Sequence, residues 1–203
     1  LQCPYAFEKA RLVAREMAEH LALDLVDDRK TTDQMVLTIG YDVENLKRPV
    51  NGKLYRGPVV TDGYGRKIPA HAHGSESLHG QTSSSEAIVS AVIRLFDRIA
   101  DPDLTIRRLT ITAEHTQPES VTEEQRRKAA AQPVQLSLFD TAAGDDKHRQ
   151  DQEEANRLEE KHLQDAVLKI QKKYGKNAVL KGTSFQDGAT QRERNGQIGG
   201  HKA

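Results

Sequence analysis

The sequence predicts an α+β fold: a small antiparallel sheet with two helices on one face, followed by a disordered linker, a helix and a basic tail. Three observations predict it. Apolar residues recur three or four apart in two stretches, and two apart in several others. Beyond His115 both periodicities stop, and the chain becomes too polar to offset the entropy of ordering it.

Over residues 5–27, Phe7, Ala10, Ala14, Met17, Leu21 and Leu25 fall on one stripe of a helix. Residues 34–41 switch to period two, with Met35, Leu37, Ile39 and Tyr41 on one side and Gln34, Val36, Thr38 and Gly40 on the other. Residues 45–65 are dense in glycine, proline and charge, with turn signals at Asn51-Gly52 and Asp62-Gly63. They read as a hairpin-like excursion of open register. Residues 66–74 alternate again, Ile68, Ala70 and Ala72 against Lys67, His71 and His73, while Pro69 marks an edge or irregular position. Ser83-Ser84-Ser85-Glu86 is a capping-box pattern that starts a second helix. Ala87, Ile88, Ala91, Val92, Leu95 and Ile99 give it an apolar stripe, and Asp101-Pro102 stops it. In the last strand, over 105–113, Leu109, Ile111 and Ala113 point inward and Arg108, Thr110 and Thr112 outward.

These elements make a domain over 1–115. A linker is expected over 116–145, a charged helix over 146–175 with Leu163, Val167, Ile170 and Tyr174 as its modest stripe, and a flexible basic tail over 176–203. Composition agrees, because 30% charged and 4% aromatic residues describe a 203-residue chain too polar to be globular throughout. Lysine plus arginine equals aspartate plus glutamate at 30 each, so any basic surface must be local. Cys3 stands alone, which excludes an intramolecular disulfide, and no apolar run reaches membrane-spanning length. A cytoplasmic setting fits. Leu1-Gln2-Cys3-Pro4 reads like the end of a strand, so a fragment is expected.

Two helices cover one face of such a sheet and leave the other to solvent or a partner. The outward set is Thr38, Lys67, His71, His73, Arg108, Thr110 and Thr112, with Arg107 beside it. Hydroxyls, imidazoles and cations without carboxylates suit phosphate oxygens. Over 47–82 the cations Lys47, Arg48, Lys53, Arg56, Arg66 and Lys67 face only Asp62 and Glu76, a local net of +4. An ordinary solvated sheet face would read the same way. His71 and His73, two apart, could share a metal with His79 or His115, but no cysteine or suitably spaced carboxylate accompanies them, so no metal is assigned. No nucleophile elbow or phosphate-cradling loop is found, and no residue reads as catalytic.

The sharpest signal is Gln135-Leu136-Ser137-Leu138-Phe139-Asp140, an apolar cluster inside a polar linker. A glutamine can anchor such a peptide by hydrogen bonds while Leu136, Leu138 and Phe139 fill a groove. Each buried apolar side chain contributes about 1.5 to 3 kcal/mol, and ordering the segment costs about 2 to 5, so a weak, exchangeable tether is expected. The alternative is a stray strand that packs back on the domain.

Gln135-Leu136-Ser137-Leu138-Phe139 resembles the motif by which bacterial polymerases and repair proteins bind the sliding clamp, and it follows a small α+β domain, as in Y-family DNA polymerases. The element order is similar to their little-finger domain, whose exposed sheet grips DNA backbone phosphates. Ile106-Arg107-Arg108-Leu109 resembles its last strand, where paired arginines commonly contact DNA. The stretches Asp62-Gly63-Tyr64-Gly65-Arg66-Lys67-Ile68-Pro69 and His71-Ala72-His73-Gly74 resemble the UmuC-type branch of Gram-positive bacteria. So do Lys173-Tyr174-Gly175-Lys176-Asn177 and Gly199-Gly200-His201-Lys202 in the tail. The resemblance implies primer-template DNA and a sliding clamp as partners, in DNA repair, the SOS response and translesion synthesis. It places the magnesium-binding carboxylates of a parent polymerase in a palm domain before Leu1, so no cofactor falls on this segment. Two functions stay open: the tethering part of a translesion polymerase, or an adaptor from a catalytically inactive paralogue.

Overall fold

The computed structural model describes residues 1, 3–47, 49, 55–131, 143–198 and 201–202. It is α+β, with an antiparallel sheet sealed on one face by two helices. Helix α1 (Phe7–Asp27) turns Ala10, Ala14, Ala18 and Ala22 completely inward, with Val13, Leu25 and Val26 beside them. Alanines four apart make a low ridge that lets α1 lie against α2 (Ser85–Ile99). Met17 and Leu21, expected in the stripe, are only partly buried, because the inward arc is rotated toward Ala18 and Ala22.

Strand β1 (Lys30–Tyr41) lies between β4 (Ala72–Thr82) and β5 (Ile106–Glu114), antiparallel to both. Met35, Leu37 and Ile39 are fully buried beneath Ile88, Leu95 and Phe96 of α2, as strict alternation requires. Strand β4 runs eight residues past the alternation read from the sequence. Its inward positions are Ala72, Gly74, Glu76 and Leu78. A Cβ on Gly74 would lie 3.0 Å from Leu95 Cδ1 and 3.2 Å from Ile99 Cγ2, so α2 packs directly on the strand backbone there. Glu76 is held by Arg94 Nε at 3.2 Å and Arg98 Nη1 at 2.6 Å, and hydrogen bonding from Arg98 holds its carboxyl below the usual glutamate range.

Helix α2 begins one residue later than the capping box predicts. Ser84 is the cap, its Oγ accepting from the Ala87 N–H at 3.1 Å. The Glu86 N–H is taken instead by Glu160 Oε1 at 3.1 Å. Between β1 and β4 stands a short hairpin of β2 (Val59–Thr61) and β3 (Lys67–Pro69), which pair only with each other.

Over 117–131 the chain is built into the fold where the sequence predicted the start of a linker. Strand β6 (Gln117–Pro118) continues beside Lys30 and Thr31 of β1 in the register β5 had set. Helix α3 (Glu119–Ala131) follows, fixed by polar contacts instead of an apolar face: Thr31 Oγ1 to Thr122 Oγ1 at 2.7 Å, and Arg126 Nη2 to Gln81 O at 2.6 Å. Helix α4 (Ala143–Tyr174) spans the expected charged helix and starts before it. Its Gln164 Nε2 donates to Ser83 O at 3.0 Å and Ser85 Oγ at 2.8 Å.

The expected flexible tail also departs from expectation up to residue 198. A 3₁₀ turn (Gly182–Phe185) and α5 (Gln191–Arg194) fold back on α1. Glu16, fully buried, accepts from the Thr190 N–H at 2.9 Å and faces Arg194 Nη2 at 3.6 Å. Burial pulls the Arg194 guanidinium below the usual arginine value. Lys181 pairs with Glu19 at 3.0 Å and Lys9 with Asp187 at 2.7 Å.

Candidate nucleic-acid interface

Six of the eight residues that the sequence led us to expect at a DNA interface share one surface. Register places His73, Thr38 and Thr110 abreast across β4, β1 and β5. Thr38 Oγ1 lies 2.9 Å from His73 Nδ1, which fixes both side chains. In the next row Ser75, Val36 and Thr112 are abreast, and beyond it Ser77, Gln34 and Glu114. At the opposite end Gly40 pairs with Arg108. A Cβ on Gly40 would lie 3.2 Å from Arg108 Cβ and 3.5 Å from His71 Nδ1, so glycine lets these two side chains close over the strand.

Arg107 and Lys67 take different positions. The pairing of β1 with β5 slips between Gly40 and Tyr41, a bulge that leaves Ile106 and Leu109 both buried and Arg107 and Arg108 consecutively exposed. The bulge therefore gathers two guanidiniums at one end, where simple alternation would have turned one inward. The Arg107 carbonyl accepts from the Leu1 ammonium at 3.4 Å. Lys67 is exposed on β3, outside the three-stranded face.

The face is polarised along its strands. Arg108 and His71 sit at one end with Arg107 beside them, hydroxyls of Thr38, Thr110, Thr112 and Ser75 occupy the middle, and Ser77 and Glu114 lie at the other. Beyond Glu114, Asp33 Oδ1 is 2.9 Å from His115 Nδ1. The sequence reading missed Ser75 and Ser77. Their signal is period two, but it is masked by Gly74 and Glu76 at inward positions where apolar residues would announce a strand.

Such a surface presents hydroxyl and guanidinium donors at sheet spacing, suited to successive phosphates. Among the described residues no three His, Cys, Asp or Glu side chains gather as a metal set, and His73 and His115 are engaged with Thr38 and Asp33. No described helix is long and apolar enough to cross a membrane. The peptide Gln135-Leu136-Ser137-Leu138-Phe139 lies outside the described residues.

Residues 5–128 match the family described as impB/mucB/samB family C-terminal domain. No curated protein and no solved structure gives a match.

Proposed function

The chain belongs to the impB/mucB/samB family of UmuC-type, Y-family DNA polymerases, and from that membership we propose how it holds DNA and a partner. The outer sheet face grips the sugar-phosphate backbone of primer-template DNA, and the 135–139 peptide tethers the protein to a sliding clamp. The protein serves translesion synthesis and DNA-damage tolerance.

One observation carries the reading: Arg108, His71, His73, Thr38, Thr110 and Thr112 stand on one face whose reverse is sealed by α1 and α2. Phosphate contacts position a duplex without reading sequence, so affinity is modest and nearly independent of sequence. Arg107 and Arg108 hold phosphates at the cationic end. Thr38, Thr110 and Thr112 donate hydroxyl hydrogen bonds along the backbone, and Lys67 reaches the same strand from the hairpin. At the clamp, Leu136, Leu138 and Phe139 enter an apolar groove while Gln135 hydrogen-bonds at its rim. Two weak attachments joined by a linker raise the effective concentration of each other's partner, which is how a low-affinity grip becomes processive.

The test is fluorescence anisotropy with labelled duplexes of unrelated sequence at low salt. Wild-type protein binds all of them similarly, and R107A/R108A binds each more weakly by a common factor. A double variant that binds as tightly as wild type removes the proposed face.

A further inference from the structure

The β2–β3 hairpin carries an exposed aromatic that the sheet face does not use. Tyr64 at its tip is 87% exposed, the most exposed of the large apolar or aromatic side chains described. Leaving such a ring in water forgoes burial, yet the turn beneath it is closely pinned. Asp62 Oδ1 accepts from the Tyr64 and Arg66 N–H groups, each at 2.9 Å, and Oδ2 from Arg66 Nε at 2.8 Å. The Asp62 N–H donates to Arg66 O at 2.9 Å and the Gly65 N–H to Asp62 O at 3.0 Å. Hydrogen bonding by the Arg66 backbone N–H holds the Asp62 carboxyl below the usual aspartate range.

That network also aims Arg66. Its guanidinium carbon lies 5.2 Å from the centroid of the Tyr64 ring, a cation–π contact bracing the ring from one side. At 87% exposure the rest of the ring remains available. Arg66 and Lys67 flank the tip as exposed cations, and the Asp62 carboxylate is consumed in the turn. The foot of the hairpin is closed by the Ala70 N–H to Pro58 O bond at 2.8 Å, and His71 follows directly, beside Gly40 and Arg108. The hairpin thus departs from the cationic end of the sheet face.

A braced, solvent-facing aromatic among cations suits a nucleobase next to phosphates better than a protein groove. A base inside a duplex has both faces stacked, whereas a base in a single strand offers one. We infer that Tyr64 is a stacking platform for an unpaired template base just beyond the duplex gripped by the sheet, with Arg66 backing the ring and Lys67 on the last duplex phosphate before it. This rests on the reading of the sheet face as a DNA grip.

The test uses the full chain with two labelled DNAs: a blunt duplex, and the same duplex with a 5′ single-stranded overhang carrying 2-aminopurine at its first unpaired position. Stacking on an aromatic is worth on the order of 5- to 150-fold in affinity per base. Wild-type protein is expected to prefer the overhang substrate by a factor in that range and to change 2-aminopurine fluorescence. Y64A should erase the preference and the fluorescence change while leaving blunt-duplex affinity and melting temperature unaltered, and Y64F should keep both. If wild-type protein shows no preference, if Y64A retains it, or if Y64A weakens both DNAs equally, the stacking platform is overturned and the sheet grip stands. If wild-type protein binds neither DNA, the sheet grip itself fails and the platform with it.

Discussion

Replacing Arg194 by alanine should loosen the C-terminal segment from α1 and lower the stability of the whole protein. Glu16 is fully buried, and its Oε2 faces Arg194 Nη2 at 3.6 Å, the guanidinium that offsets its charge. Breaking a buried ion pair by deleting one member costs about 3 to 5 kcal/mol, because the other charge is left uncompensated. The Arg194 side chain keeps 31% of its surface exposed, which moves the expected loss to the lower end, about 3 kcal/mol. For a chain of this size each kcal/mol shifts the melting temperature by roughly 2 to 4 °C, so R194A should melt about 6 to 12 °C below wild type. The double variant E16Q/R194M keeps an acceptor for the Thr190 N–H, removes both charges and should recover most of that loss. Differential scanning calorimetry on the three proteins is the assay. An R194A protein within 2 °C of wild type, or a double variant less stable than R194A, would refute the argument that this buried pair clamps the segment.

Three further outcomes are expected. Changing Leu138 and Phe139 to alanine removes about 3 kcal/mol or more of gross apolar contact, so titration against a bacterial sliding clamp should lose its signal while calorimetry shows unchanged melting. A destabilised variant would favour strand packing over tethering. The Glu76 carboxyl, depressed by Arg98, contributes stability that is complete above its unfolded value near 4.5 and disappears as pH falls through the lower folded value. R98A should therefore flatten urea stability against pH below about 4.5; an unchanged profile would mean Arg98 is not the partner that matters. Treatment with a chelator should alter neither melting nor DNA binding, and stoichiometric zinc with three protein ligands would contradict the role given to His71 and His73.

Where one face of an element is apolar, the sequence could be read directly. Met35, Leu37 and Ile39 alternate, and they are the centre of the core. Strand β4 was legible only to Gly74, since beyond it an arginine-held glutamate occupies an inward position that alone would look solvated. Helix α3 was invisible for a related reason, as threonine, glutamine and arginine hydrogen bonds to β1, β6 and β4 fix it in place of an apolar stripe. Glu16 and Glu19 look like solvated helix positions until the chain returns more than 160 residues later with Lys181 and Arg194. Non-local polar pairing of this kind leaves no periodic trace. The candidate site divides similarly. Outward residues of β1 and β5 followed from alternation, whereas the bulge that exposes Arg107 beside Arg108 and the pinned tip that holds Tyr64 outward depend on register and turn geometry.

The DNA grip is tested most directly by the salt dependence of duplex binding. If Arg107, Arg108 and Lys67 each neutralise one phosphate, log affinity should fall against log salt with a slope of about 2.7. A four-fold rise in salt then weakens binding roughly 40-fold. R107A/R108A retains one such contact, so its slope should drop to about 0.9 and the same change in salt should cost it only about 3.5-fold. Those two slopes are the predicted result; parallel lines for wild type and the double variant would contradict the claim that this end of the sheet holds the phosphates.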